Sequence, residues 1–165
     1  MPFVPDSFVP PPTAELEGLH LRVLAPADTV LDYAAVMGAR ERLRSVFGPT
    51  STWPAAGMTL EQNTADLVRH EAEFHAREAF AYSIWSPSGE YVGCVYIDPM
   101  KSKLEHDRRR ERFDARVYFW SSNAGFADDA AMCLRLKRWL AEGWPFRSVA
   151  WPGRDIAWDD WLAMA

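Results

Sequence analysis

The sequence predicts an α/β domain, mixing antiparallel and parallel strands with flanking helices. Two observations predict it. Short stretches rich in aromatic and β-branched residues alternate with longer amphipathic ones, and the order of these stretches places an antiparallel hairpin before a strand, helix, strand unit that calls for a parallel crossover. The chain has 165 residues, the size of one domain, and its 48% hydrophobic and 25% charged residues are those of a globular protein able to bury a core.

The order of elements follows from turn chemistry and hydrophobic period. Pro2 to Pro12 holds five prolines, too many for a strand or helix interior, and predicts an extended arm over residues 1–15 lying on the body or on a partner, ahead of a single domain over 16–165. Leu19 to Leu24 alternates as a half-buried strand does, and Ala25-Pro-Ala-Asp leads into a helix over about Thr29 to Ala39. Arg40 to Thr59, broken by Gly48-Pro49, Trp53-Pro54 and Gly57, reads as a loop with short helical turns. Thr59 with Gln62 three residues on predicts a capped helix to about Arg77, with Leu60, Leu67 and Phe74 on its buried stripe.

Ala79 to Trp85 and Tyr91 to Ile97, joined by Ser86-Pro-Ser-Gly-Glu, form a hairpin of two antiparallel strands. Asp98 to Asp114 sets Lys101, Lys103, Arg108, Arg109, Arg110 and Arg112 against Glu105, Asp107 and Glu111 and reads as a solvated loop. Ala115 to Trp120 is apolar on both faces, as a central strand must be, and Ser121 to Gly125 leads into a helix over about Phe126 to Glu142. Its buried stripe should comprise Met132, Leu136, Trp139, Leu140 and Gly143. Arg147 to Trp151 is the last strand, and Asp155 is the expected cap of a short terminal helix.

Composition also narrows function. A formal charge of −5 and a pI near 5.4 argue against a general nucleic-acid binder. No apolar run reaches the length of a membrane span, and the first residues lack the basic and apolar regions of a signal peptide, so a cytoplasmic location is expected. Cys94 and Cys133 lie in apolar segments without metal-ligand spacing and read as free core thiols. His70 and His75, five residues apart, do not suit a metal site on a helix and read as solvated; no metal is expected. Of eight tryptophans, five fall between Trp139 and Trp161, serving the core or lining a pocket or dimer seam.

One segment carries a more specific signal. At the crossover, Ser122-Asn-Ala-Gly125-Phe-Ala127 resembles the Gln/Arg-x-x-Gly-x-Gly/Ala loop of the GNAT N-acetyltransferases. Gly125 and Ala127 match its last two positions, Ser122 departs from its first, and Gly-Phe-Ala-Asp-Asp-Ala is similar to the Gly-Tyr-Ala-Thr-Glu-Ala of a branch that acylates N-terminal and small-molecule amines. The Leu-Arg-Val-Leu strand and the Gly-Glu-Tyr-Val-Gly hairpin agree, and the resemblance covers about Leu16 to Trp161.

The resemblance implies a GNAT-like mixed sheet and transfer of an acetyl group from acetyl-coenzyme A to an amine of a small molecule or peptide. It also implies a cofactor site in which Phe119, Trp120 and Ser121 face the pantetheine, while Ser122, Asn123, Ala124, Gly125, Phe126 and Ala127 hold the pyrophosphate. Small residues there leave the N–H groups of a helix end open to an anion, and Asp128 and Asp129 would compete for the same groups.

Catalytic groups are not assigned. The family's tyrosine acid has no counterpart between Asp155 and Ala165, and Asp114 and Glu90 are the carboxylates near the expected cleft. The alternative is a GNAT-like module that binds a small ligand or a protein without turnover, and a sheet edge after the last strand invites a homodimer or cover by the proline arm.

Overall fold

The computed structural model describes residues 2–165. Strands β1 (Thr13–Leu16), β2 (Leu19–Val23), β3 (Phe80–Trp85), β4 (Tyr91–Asp98), β5 (Ala115–Ser121) and β6 (Val149–Ala150) form one sheet in that order, antiparallel except for the parallel pair β5–β6. Helices α1 (Thr29–Gly38), α2 (Arg40–Leu43) and α3 (Leu60–His75) precede the hairpin, α4 (Arg108–Arg112) interrupts the charged loop, α5 (Asp129–Gly143) makes the crossover and α6 (Trp158–Ala163) follows β6. No helix among the described residues is long and apolar enough to cross a membrane.

The sheet is covered on both faces, which explains why β5 is apolar throughout. Val117 and Phe119 pack with Met132, Leu136 and Leu140 of α5, while Tyr118 and Trp120 pack with Val36 of α1 and Leu67 of α3. Gly93 is required by the sheet itself. A Cβ there would stand 2.1 Å from the Trp120 carbonyl oxygen of the neighbouring strand, a backbone atom with nowhere to go.

Several local expectations hold. Thr59 and Gln62 form the reciprocal capping box of α3, the hairpin sits where its turn residues place it, and both cysteines are free and buried. Others do not. Thr13–Leu16 is a strand paired with β2 through Glu17 and Gly18, so the end of the proline segment belongs to the sheet. Leu60 is exposed, and the buried stripe of α3 is Asn63, Leu67 and Phe74. Gly143 is exposed and Cys133 takes a place on the buried stripe of α5. Asp155 does not cap α6, whose N-cap is Ala157, because its carboxylate is drawn 2.5 Å from the Lys137 ammonium.

The arm lies on the body. Val4 is buried, Phe3 stacks between Phe80 and Phe146, Phe8 packs on Trp144, and the Pro5 and Pro11 carbonyls accept hydrogen bonds from Arg77 and the Tyr82 hydroxyl. Carbonyls freed by prolines thus find donors on the domain. Trp144, Trp151 and Trp161 are buried, and Trp139 and Trp158 half-buried, which assigns most of the tryptophan surplus to packing.

Candidate functional site

The parallel pair β5–β6 is short. Ala115 faces Val149 and Arg116 faces Ala150, and beyond that the strands part. The Phe119 carbonyl has no strand partner on that side and accepts instead from the Arg154 guanidinium at 3.3 Å, which lies 3.4 Å from the centre of the Phe119 ring. A cavity of about 230 Å³ remains in the fork, lined by Ser45, Val46, Tyr118, Phe119, Gly153, Arg154 and Trp158.

The loop from β5 to α5 follows, and Arg154 of the fork bonds Asp129 at the start of α5. The side chains of Phe119, Trp120, Ser121 and Ser122 are buried, with the Trp120 indole N–H donating to the Tyr96 hydroxyl at 3.0 Å. Ser121 donates to the Asp129 carboxylate, and the Ser122 hydroxyl donates to the Tyr91 carbonyl at 3.1 Å. Ser122 therefore spends its side chain on β4. Gly125 has a packing reason of its own, since a Cβ would stand 2.6 Å from the Val92 carbonyl oxygen. Asn123, Ala124, Phe126 and Ala127 form the exposed rim of the loop.

Charge around the loop differs from what the two aspartates imply. Asp129 accepts from Ser121 and, at 2.9 Å, from Arg154; burial works to raise its pKa, but these bonds outweigh it and hold the carboxyl below its usual range. On the other side, the Arg42 guanidinium donates to Asn123 at 3.2 Å and lies 4.1 Å from the centre of the Phe126 ring, while Asn123 donates to the Gly38 carbonyl at 2.9 Å. Two guanidinium groups thus flank the loop, supplied by α2 and by the chain after β6. Sequence reading along the motif did not find them because both come from other elements.

Both carboxylates near the expected cleft have protein partners. Asp114 ties β5 to the start of β6 by accepting from the Arg147 and Ser148 backbone N–H groups at 2.7 and 3.2 Å and from the Arg147 guanidinium. Glu90 is exposed on the hairpin turn, accepting from the Ser88 hydroxyl at 3.1 Å. Cys94 is fully buried, and burial holds its thiol well above the usual range, which suits a core thiol and no nucleophile.

A second cavity, of about 380 Å³, lies between α1, α3 and strands β4 and β5. Its walls include Phe47, Trp53 and Tyr96, and its charged groups are Asp32, Asp66, Arg69, Glu73, Asp98, Lys101 and Arg116. His70 faces it with its ring 5.1 Å from that of Tyr96, so this histidine is a wall residue and not the solvated one expected. Burial, with the Arg69 charge adding, lowers its pKa to about 4. Asp98 lies 3.7 Å from Arg116, yet burial outweighs that pairing and raises its carboxyl.

Asp32 is 3% exposed and accepts from the Tyr91 hydroxyl at 2.6 Å, the Asn63 amide at 2.8 Å and the Cys94 thiol at 3.4 Å. Burial raises its pKa, and these donors only partly offset it. This cluster was missed in sequence. The available signal was polar residues on buried stripes: Asp32 lies between Thr29 and Val36 on α1, and Asn63 four residues before Leu67 on α3. No group of three or more potential metal ligands occurs among the described residues.

No family model matches the sequence, and no curated protein matches it. Solved structures do match the fold. The chain is similar to ribosomal-protein-S5-alanine acetyltransferase from Vibrio fischeri at 16% identity and a TM-score of 0.52, with 78% of this chain and 66% of that one covered. It is similar to RimL, the ribosomal L7/L12 α-N-protein acetyltransferase in complex with coenzyme A, at 14% identity and a TM-score of 0.58, covering 78% and 66%. The microcin C7 self-immunity acetyltransferase MccE, in complex with acetyl-CoA and AMP, matches at 12% identity and a TM-score of 0.56, covering 84% and 73%. The chain spans just under two thirds of the first two of these proteins. The chain has the GNAT acetyltransferase fold.

Proposed function

We propose that this chain is an acyl-CoA-dependent N-acyltransferase that moves an acetyl group from acetyl-CoA to an amine of a small molecule or peptide, in the cytoplasm. The observation that carries the proposal is the fork between β5 and β6. It leaves a cavity beside the Phe119 backbone and an exposed loop rim ahead of α5, flanked by Arg42 and Arg154. These two cations offset the absence of a charged residue at Ser122.

In this reading the chain's own residues divide the work. Asn123, Ala124 and Ala127 present the rim to the pyrophosphate, Arg42 and Arg154 supply positive charge, and Tyr118 and Phe119 border the acyl chain's path. Exchanging its Phe119 contact for a ligand amide would let Arg154 swing toward phosphate while Asp129 keeps Ser121 as a partner. The structural neighbours include complexes with coenzyme A and acetyl-CoA, which supports a ligand of that kind on this fold.

The test is release of free thiol from acetyl-CoA across a panel of amines and peptide N-termini. Amine-dependent release that Arg154→Ala slows by tenfold or more supports the transferase. Binding of acetyl-CoA without release on any amine would instead favour a ligand-binding module without turnover.

A further inference from the structure

The geometry points to a cation-recognition subsite at Asp32. We infer that it holds one charged nitrogen of a substrate that carries two, so that the acceptor is a small diamine.

Three observations converge. First, Asp32 is a buried carboxylate whose partners are all neutral donors, the Tyr91 hydroxyl, the Asn63 amide and the Cys94 thiol. Three donors aimed at one carboxyl group favour its ionised form, while burial opposes it. The other carboxylates of the cavity each have a guanidinium: Asp66 and Glu73 share Arg69, and Asp98 has Arg116. Among the described residues no ion pair reaches Asp32, so its charge is the one a ligand cation would balance.

Second, the cavity beside it is walled by Phe47, Trp53 and Tyr96, whose faces attract an organic ammonium. Its volume of about 380 Å³ suits a small ligand.

Third, Phe47 stands between the two cavities. Its ring packs edge-on against Tyr118 at 5.4 Å, Tyr96 at 5.3 Å and Trp53 at 5.0 Å. Phe47 lines the Asp32 cavity, whereas Tyr118 and the adjacent Val46 line the β5–β6 fork. A nitrogen held at Asp32 is therefore a layer of rings away from the fork and is not the one acylated. A substrate anchored there needs a second amine that passes Phe47 to reach the thioester.

The inference rests on the acyltransferase reading for the fate of the second amine, but not for the binding at Asp32. The experiment separates the two. Cadaverine and n-pentylamine are titrated calorimetrically into the protein without CoA, for wild type, Asp32→Asn and Trp53→Ala, and both amines are then offered with acetyl-CoA in a thiol-release assay. Both should bind wild type, Asp32→Asn should weaken both by roughly tenfold or more, and cadaverine alone should be acylated. Trp53 stands in a half-buried loop, so its variant reports on the site even where Asp32→Asn fails to fold, and it should weaken both amines severalfold.

Absence of binding to wild type, or equal binding by both folded variants, overturns the subsite. Acylation of pentylamine as fast as cadaverine overturns the diamine assignment. Binding that depends on Asp32 with no acylation of either amine supports the subsite and overturns the diamine as acceptor, while thiol release across the amine and peptide panel decides the transferase reading separately.

Discussion

In the loop after β5, one short run of residues has its polar groups partnered: Ser121 by Asp129, the Gly125 N–H by the Ser122 carbonyl at 3.1 Å, Ser122 by the Tyr91 carbonyl and Asn123 by the Gly38 carbonyl. In the cavity beside α1 and α3, Asp32 of α1, Asn63 of α3, and Tyr91 and Cys94 of β4 meet across sequence separations of 31 to 62 residues. The loop is contiguous in sequence, and the fold has already partnered its polar side chains. The cavity is built by convergence, and it keeps a carboxylate without a cation. The difference separates residues whose role is to shape the site from residues free to bind.

The sharpest test of that separation concerns glycine. Gly93→Ala places a methyl group against the Trp120 carbonyl oxygen, and Gly125→Ala places one against that of Val92, 2.1 and 2.6 Å away respectively. Separating β4 from β5 should cost about 4 kcal/mol or more at Gly93 and about 1–3 kcal/mol at Gly125, read as a lower urea midpoint. A Gly125→Ala protein with unchanged stability would show that the loop glycine is not held by packing.

Acid should act through the cavity. The folded pKa of His70 lies at about 4, below the 6.5 of an unperturbed histidine. Between these values the unfolded chain binds more protons, so stability is fully present above pH 6.5 and declines as pH falls toward 4. The loss approaches about 3 kcal/mol at the acid end. His70→Gln should flatten the urea midpoint across this window; a profile as steep as wild type would assign the loss elsewhere.

Ser122→Ala should have a smaller effect. It removes the 3.1 Å bond to the Tyr91 carbonyl, costing about 1 kcal/mol, while leaving acetyl-CoA affinity within about twofold, since the hydroxyl faces β4. A large loss of affinity with unchanged stability would return Ser122 to the ligand.

The sequence made the fold legible because its signals were local. The hairpin, the capping box at Thr59 and the two-faced apolar β5 follow from spacing and turn residues, and the parallel crossover follows from their order. β1 was hidden because Thr13–Leu16 follows a proline-rich run and is too short to show a period, being fixed by pairing with β2. The loop was legible for the same reason as the hairpin. Its cations were not, because Arg42 and Arg154 reach it from 81 residues before Asn123 and 35 residues after Phe119. The Asp32 cluster was hidden by its helices, whose polar positions read as ordinary interruptions until the sheet brought them against Tyr91 and Cys94.

The most direct measurement is calorimetric titration of acetyl-CoA into wild type and Ala127→Glu. Ala127 is exposed on the loop rim, so the substitution leaves the packing of Gly125 and Ser122 intact while setting a carboxylate where the pyrophosphate would lie. Micromolar binding by wild type, lost in Ala127→Glu with the melting temperature unchanged, is the predicted result. No binding by wild type, or equal binding by the variant, would contradict a coenzyme A site at the β5–β6 fork.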